Sequence, residues 1–183
     1  MGEPTPHGPV LLIMAAFSRY AEALQWARER SAACWGEPVL ESPLFDFHQT
    51  TYYQPTMGGP LKKQFFVFPH LQDPAKLVDW KLQTNNWETE YARLGRHPEP
   101  RPLNLDPGYL TLAKLVLAST KDFAHRIYLD RGIYAEITLF YRHGQWEPHP
   151  WTFPDYRRPE YHTFFTQVRQ YLHQRLQEHR QSQ

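Results

Sequence analysis

Residues 104–141 read NLDPGYLTLAKLVLASTKDFAHRIYLDRGIYAEITLFY, and they carry charged side chains among isoleucines, leucines and aromatic residues. Charged groups in apolar surroundings cost free energy unless they are paired or used. The second half of the segment has the alternating pattern of a β-hairpin, with strands over 123–129 and 133–141 joined around Asp130-Arg131-Gly132. The segment therefore contains the clearest structural element of the chain and the best candidate for a functional site.

The length of the connecting loop sets the register of this hairpin. A three-residue loop places Leu129 opposite Ile133, so that Arg126 lies directly opposite Glu136. A loop of two residues shifts the register by one position and separates the charged pair. In the three-residue register, one face of the second strand carries only apolar side chains, those of Ile133, Ala135, Ile137 and Leu139.

The first half of the segment begins with a strand over 103–106 that ends in the turn Asp106-Pro107-Gly108. The apolar run that follows, from Tyr109 to Ser119, fits either a helix or a buried strand. We favour a helix because the run exceeds normal strand length and four of its residues share one helical face, namely Leu112, Leu115, Val116 and Ser119.

Outward from this segment, the chain contains further strands and helices. Residues 10–17 form a continuous apolar run, which predicts a central strand buried on both faces. One helix starts at Asp73-Pro74 and another at Pro159. Each has one apolar face: Leu77, Trp80, Thr84, Trp87, Tyr91 and Leu94 line the first, and Tyr161, Phe164, Phe165, Val168 and Leu172 line the second.

These elements predict a single layered α+β domain, with a mixed or mostly antiparallel sheet, a C-terminal hairpin and about four flanking helices. We assign residues 10–176 to this domain, residues 1–9 to a flexible leader and residues 177–183 to a frayed polar tail. No linker separates two cores.

Composition narrows the classes of protein to consider. The chain has 183 residues and a formal net charge of +1, so no overall field attracts nucleic acid or an acidic membrane. The apolar run over 10–17 is too short for a membrane span and is wrongly flanked for a signal peptide. The single cysteine, Cys34, excludes an intrachain disulfide and suits the cytoplasm. Its place on the apolar face of a helix over 20–34 predicts a small buried side chain.

Six strings of residues are similar to those of a known family: NLDPGY at 104–109, KLVL at 114–117, TKD at 120–122, HRIYL at 125–129, GIYAE at 132–136 and WTFPDYR at 151–157. On these strings the chain resembles a bacterial and archaeal family catalogued as domain of unknown function 4416, over nearly its whole length. One departure is Thr56, where the family pattern has an acidic residue. The resemblance implies no mechanism. Members are sometimes labelled GTP-binding, but the stretch 58–62 lacks the spacing and the hydroxyl residue of a phosphate loop.

The charged residues of the segment predict a site for a small anionic ligand. Lys121, His125, Arg126 and Arg157 would supply positive groups. The carboxylates of Asp106 and Glu136 would orient these groups or act as acid and base, with His125 as the proton carrier near neutral pH. Further candidate ligand-binding residues are Asp155, Lys114, Tyr109, Tyr134 and Trp151, of which the three aromatic ones would wall the pocket.

Several of these residues also have a purely structural interpretation. Arg126 and Glu136 fit an ordinary cross-strand ion pair, worth about 0.2–1 kcal/mol. Asp106 fits ordinary turn chemistry, and Lys114 fits a side chain that extends to solvent. The segment 151–157 forms either a lid over a ligand or a connector whose rings dock onto the core.

Other chemistries have little support in the sequence. The ten histidines show no HxxxH or HExxH spacing, so we predict no metal site. No GxSxG motif marks a nucleophile, and no cofactor follows from the residues.

Three functions remain, in order of support. The first is binding of a small anionic metabolite or nucleotide near 121–136, with the question of a reaction left open. The second is a non-catalytic module that binds a protein partner or forms a homo-oligomer through exposed aromatic residues such as Tyr52-Tyr53 or Trp151. The third is RNA binding, against which the near-neutral charge argues.

Overall fold

The structure is a computed structural model that describes residues 2–48 and 53–182. Its described part contains nine strands: β1 Val10–Ser18, β2 Leu40–Glu41, β3 Phe45–Phe47, β4 Leu61–Gln72, β5 Asn104–Leu110, β6 Lys114–Ser119, β7 Ile127–Asp130, β8 Ile133–Arg142 and β9 Gln145–Pro148. The described helices are α1 Ala21–Trp35, α2 Gln54–Met57, α3 Leu77–Arg93 and α4 Pro159–Gln181, with 3-10 turns at Pro74–Lys76 and Pro154–Arg157.

All nine strands join one sheet of order β2-β4-β1-β5-β6-β8-β7, with β3 paired to β4 and β9 paired to β8. Every pairing between the described strands is antiparallel. Helices α1 and α3 pack on one face of the sheet, and α4 packs on the other. The protein is thus a single α+β domain with a mostly antiparallel sheet, as predicted.

Strand β1 lies at the centre of the sheet, and all nine of its residues are buried. Its side chains alternate between the two cores: Leu12 and Met14 pack with α1 and α3, and Leu11 and Ile13 pack with α4. Burial of each such side chain stabilises the fold by about 1.5–3 kcal/mol. The prediction of a strand buried on both faces is confirmed.

The apolar faces predicted for the two long helices are also confirmed, except that Leu94 at the end of α3 is exposed. The Asp73 carboxylate accepts a hydrogen bond from the backbone N–H of Ala75, and a 3-10 turn precedes the first residue of α3. Helix α4 continues to Gln181, through the polar stretch that was predicted to fray.

The prediction of a buried Cys34 was wrong, because this residue is exposed. The buried side of α1 consists of Ala23, Leu24, Ala27, Ser31 and Trp35. The apolar stripe therefore continues to the large ring of Trp35, and Cys34 faces away from the sheet.

The prediction of a helix over 109–119 was wrong. Strands β5 and β6 occupy this region and are joined by a tight turn, in which the Thr111 hydroxyl accepts hydrogen bonds from the N–H groups of Ala113 and Lys114. Because helices cover both faces of the sheet here, consecutive apolar residues of β6 are all buried and imitate a helical stripe. The Asp106-Pro107-Gly108 sequence lies inside β5 and does not form a turn.

The hairpin has the predicted register at its open end, where Ile127 faces Ala135 and Tyr128 faces Tyr134. A bulge after Tyr128 then pairs Asp130 with Ile133. The first strand is shorter than predicted, so His125 and Arg126 precede it. A second irregularity, between β6 and β8, places Leu139 in the core under α4 and leaves Ile137 exposed, so these two residues do not share a face as predicted.

Candidate functional site

A cavity of about 320 Å³ opens at one end of the sheet, where β1 and β6 end and β4 and β5 begin. Residues from at least seven elements reach it because neighbouring antiparallel strands start and stop at the same edge. Its described lining consists of Phe17, Phe47, Tyr53, Lys63, Lys81, Arg101, Asn104, Asp106, Leu117, Ala118, Ser119, Thr120, Lys121, Phe123, Arg126, Glu136, Phe153, Pro154, Asp155 and Tyr156.

Lys81 brings a positive charge from α3 to the start of β5. Its Nζ donates hydrogen bonds to the backbone oxygen of Leu105, over 2.8 Å, and to Oδ1 of Asp106, over 3.1 Å. The other carboxylate oxygen of Asp106 accepts a hydrogen bond of 2.9 Å from Nδ2 of Asn104. Lys81 is buried, whereas the Asp106 side chain is 27% exposed. The Asp106 carboxylate therefore has access to the cavity.

Arg101 and Glu88 extend this network behind the cavity wall. Arg101 Nη2 donates to Oε2 of Glu88 over 3.0 Å and also to Oδ1 of Asn104. Glu88 Oε1 accepts a hydrogen bond of 2.7 Å from the backbone N–H of Leu105. Glu88 thereby holds both the Arg101 side chain and the start of strand β5 in place.

The two carboxyl groups of this network have pKa values shifted in opposite directions. Burial acts to raise the pKa of Asp106, but the charges of Lys81 and Lys63 and the hydrogen bond from Lys81 hold that pKa below its ordinary value. Burial raises the pKa of Glu88, and the nearby cations only partly offset this effect. Asp106 is therefore an ionised acceptor at neutral pH.

Lys63 and Asp155 form a second ion pair, with 2.7 Å between Nζ and Oδ2 and side chains only 3% and 5% exposed. The Lys63 ammonium lies 4.4 Å from the ring centroid of Tyr156 and 5.1 Å from that of Phe47. Aromatic faces stabilise the buried cation through their quadrupoles. Lys63 thus joins β4 to the 3-10 turn at Pro154–Arg157.

Arg126 and Glu136 form a third pair, with 2.7 Å between Nε and Oε2 and side chains at most 3% exposed. This is the contact that the hairpin register predicted. Arg126 Nη1 also donates to the backbone oxygen of Lys121 over 3.0 Å, and its guanidinium lies 4.7 Å from the Phe123 ring and 5.8 Å from the Phe153 ring. The arginine therefore connects the two segments that flank the opening of the cavity.

Five of the eleven candidate residues line the cavity: Asp106, Lys121, Arg126, Glu136 and Asp155. His125 lies just outside the lining. Its Nε2 is 3.3 Å from Oε2 of Glu136 without hydrogen-bond geometry, and its ring stacks between Phe123 and Trp151.

The other five candidates lie elsewhere. Arg157 donates hydrogen bonds to the backbone oxygens of residues 149, 150 and 152, so it holds the preceding loop in place. Trp151 stacks on two histidines at the surface. Tyr109 packs against the core under α1 and α3, Tyr134 packs edge-on against Tyr128, and Lys114 lies at the opposite end of β6.

Sequence reasoning missed Lys63, Lys81, Arg101, Asn104 and Tyr156 as cavity residues. Lys81 gave one signal, because a charged residue beside the apolar seam of α3 is unusual unless it has a buried partner. Lys63 had no comparable signal, because it stands between Lys62 and Gln64 in a run of polar residues.

The described residues contain no group of three or more His, Cys, Asp or Glu side chains arranged to hold a metal ion. None of the described helices is long and apolar enough to cross a membrane. Tyr52, a candidate for partner binding, lies outside the described residues.

The fold and the site define a single-domain α+β protein with an aromatic-walled, charged cavity at one edge of its sheet. The model of the family described as Domain of unknown function (DUF4416) matches residues 8–171, and the chain belongs to this family. No curated protein and no solved structure matches the chain.

Proposed function

We propose that this protein binds a small anionic organic molecule, a metabolite or a nucleotide, in the cavity at the edge of the sheet. The observation that carries the proposal is the charge of the lining. In the described part of the chain, five cationic side chains, those of Lys63, Lys81, Arg101, Lys121 and Arg126, face three carboxylates, those of Asp106, Glu136 and Asp155. Glu88, behind the wall, pairs with Arg101, so among these described residues the cations outnumber the carboxylates by one, and an anion would balance that excess.

The size and composition of the cavity support an organic ligand over a simple ion. A volume of about 320 Å³ lies within the range of small-molecule sites. Six of the described lining residues are aromatic, namely Phe17, Phe47, Tyr53, Phe123, Phe153 and Tyr156. Such walls bind an apolar or planar body, and the few charged groups fix its orientation.

Charge interactions at this site are strong enough to give useful affinity. Two unit charges 4 Å apart interact by about 4 kcal/mol at the effective dielectric constant near a protein surface. The ionised carboxylate of Asp106 adds an acceptor for a hydroxyl or amino group of the ligand. Binding is the activity that we propose. If the protein also catalyses a reaction, Glu136 and the adjacent His125 are the first candidates for a proton transfer.

A thermal-shift screen against nucleotides, phosphorylated metabolites and carboxylates tests the proposal. A ligand at a hundred times its dissociation constant stabilises the protein by about 2.7 kcal/mol, which raises Tm by roughly 5–10 °C. Lys121 is exposed at the opening, so Lys121→Glu should weaken binding about tenfold or more without unfolding the protein.

The matched control is Lys76→Glu, which makes the same change of charge at an exposed residue outside the cavity. We expect this variant to bind like the wild type. If both variants lose affinity equally, the ligand responds to overall charge and not to the cavity, and the proposed site is wrong. If no anion raises Tm, the proposed function fails.

A second candidate function, self-association or partner binding, is favoured by strand β7. This strand lies at the edge of the sheet, with Ile127 70%, Tyr128 57% and Leu129 40% exposed. Exposed apolar residues on an edge strand favour pairing with another chain. Sedimentation velocity over a range of concentrations should reveal a dimer that Ile127→Lys dissociates. A monomer at all concentrations would leave only pairing with a different protein.

A further inference from the structure

Tyr156 has a buried hydroxyl group that makes no hydrogen bond within the described part of the chain. The residue lies in the 3-10 turn at Pro154–Arg157, lines the cavity and is 2% exposed. Its hydroxyl oxygen has no hydrogen-bond partner among the described residues. A buried hydroxyl without a partner costs free energy, and most such groups in native proteins are satisfied.

An unpaired hydroxyl does not by itself mark a binding site, as the neighbouring Tyr161 demonstrates. The Tyr161 hydroxyl is also buried and without a hydrogen-bond partner among the described residues, but Tyr161 lies outside the cavity lining. Tyr156 differs because it lines the cavity and because the Lys63 ammonium lies 4.4 Å from its ring centroid.

The electrostatic surroundings keep the Tyr156 hydroxyl protonated. Burial raises the pKa of this hydroxyl well above its ordinary value, and the carboxylates of Asp155, Asp106 and Glu136 raise it further. All three of these carboxylates line the cavity. The hydroxyl is therefore a neutral donor that belongs to a residue of the cavity lining, and the carboxylates already present are held by lysine or arginine partners.

We propose that the Tyr156 hydroxyl donates a hydrogen bond to a carboxylate or phosphate oxygen of the ligand, next to the Lys63–Asp155 pair. The apolar body of the ligand would then pack against Phe123 and Phe153, whose rings are half exposed at the opening. This inference rests on the proposed function and narrows the ligand to an organic oxyanion with a flat or apolar body. Tyr156 is in this view a specificity-determining residue.

Isothermal titration of three proteins tests the inference: the wild type, Tyr156→Phe and the control Tyr161→Phe. The probes are phenyl phosphate, benzoate and inorganic phosphate. Phenylalanine keeps the ring beneath the Lys63 ammonium and removes only the donor. We expect Tyr156→Phe to bind the preferred aryl probe at least tenfold more weakly than the wild type, and Tyr161→Phe to bind it equally well. Phenyl phosphate and benzoate distinguish the two oxyanion classes.

Thermal unfolding of the ligand-free proteins separates a ligand contact from a structural role. Without ligand, Tyr156→Phe should melt at or above the wild-type temperature, because a hydroxyl without a partner is removed. A fall in Tm larger than that of Tyr161→Phe would mean that the hydroxyl has a structural partner, such as a buried water, and would overturn the inference.

The remaining outcomes are equally distinct. If the wild type binds an aryl probe and Tyr156→Phe binds it with the same affinity, the inference is wrong and the proposed function stands. If inorganic phosphate binds as tightly as phenyl phosphate, the apolar body plays no part and the inferred ligand class is wrong. If no anion from this set or from the wider screen binds the wild type, the proposed function fails, and the inference fails with it.

Discussion

At the scale of single residues, the buried ion pair of Arg126 and Glu136 is sensitive to the loss of either partner. Removing one member leaves an uncompensated charge on a side chain that is at most 3% exposed. We expect Arg126→Met to lower the free energy of unfolding by about 3–5 kcal/mol, whereas adding Glu136→Leu should recover most of that loss. Guanidinium denaturation at pH 7 measures both effects.

The control for this pair is Arg131→Met, which removes an arginine exposed at the surface beside Asp79 and Asp130. It should leave the free energy of unfolding almost unchanged, because exposed ion pairs are screened by water. A double variant at 126 and 136 that is as unstable as the single variant would show that the arginine acts through packing against Phe123 and Phe153 instead.

Asp106 and Glu88 should give the protein opposite responses to pH. The folded-state pKa of Asp106 is depressed, so its contribution to stability is present above the unfolded pKa of about 3.9 and is lost as pH falls through the folded value. The folded-state pKa of Glu88 is raised by burial, so its carboxyl group reduces stability as pH rises above about 4.3.

The two amide variants test these signs. Asp106→Asn should flatten the dependence of unfolding free energy on pH below about pH 4, and Glu88→Gln should remove the decline above about pH 4.3. Urea denaturation between pH 2.5 and 7 provides the curves. An Asp106→Asn curve that runs parallel to the wild type below pH 4 would contradict the assigned effect of Lys81 and Lys63.

At the scale of elements, strands β5 and β6 approach each other closely at Gly108. A Cβ atom at this position of β5 would lie 2.2 Å from the backbone oxygen of Val116 in β6. Because a backbone atom of a central strand cannot move away cheaply, Gly108→Ala should cost about 1–3 kcal/mol or more of unfolding free energy. Gly8→Ala, with no atom within 4 Å, is the control. Equal stability of the two variants in denaturation would contradict this geometry.

The two segments at the opening of the cavity should respond together to a ligand. The Arg126 guanidinium lies near the rings of both Phe123 and Phe153, so residues 120–126 and 151–157 are physically connected. We expect a bound anion to slow hydrogen exchange in both segments and to leave the last turns of α4 unchanged. Protection of only one segment in exchange mass spectrometry would mean that the arginine does not couple them.

Helices α3 and α4 and strand β1 were predictable because the spacing of the buried apolar residues is regular in each of them. Period-3.6 spacing identified Trp80 and Phe165, and an unbroken apolar run identified β1. The same reasoning failed from Leu112 to Ser119. A strand that is covered on both faces has apolar residues at consecutive positions, so polar and apolar residues do not alternate along it. The bulge in the hairpin and the irregularity between β6 and β8 were also not evident from the sequence.

At the scale of the whole molecule, the cavity contains one ion pair that was predictable from the sequence and another that was not. Arg126 and Glu136 were predictable as neighbours because they belong to one hairpin. Lys63 and Asp155 are 92 positions apart and meet only through the packing of α4 and its preceding turn on the sheet. No spacing rule connects residues so distant, so their partnership required the tertiary structure.

The long separation of Lys63 and Asp155 in the sequence has a consequence during synthesis of the protein. A ribosome makes Lys63 well before Asp155, and until the later segment emerges the lysine has no carboxylate with which to share its buried position. The ion pair therefore closes only when most of the polypeptide has been translated. A metabolite that binds the completed cavity would bind finished chains and not nascent ones. It would therefore stabilise only chains whose synthesis is complete.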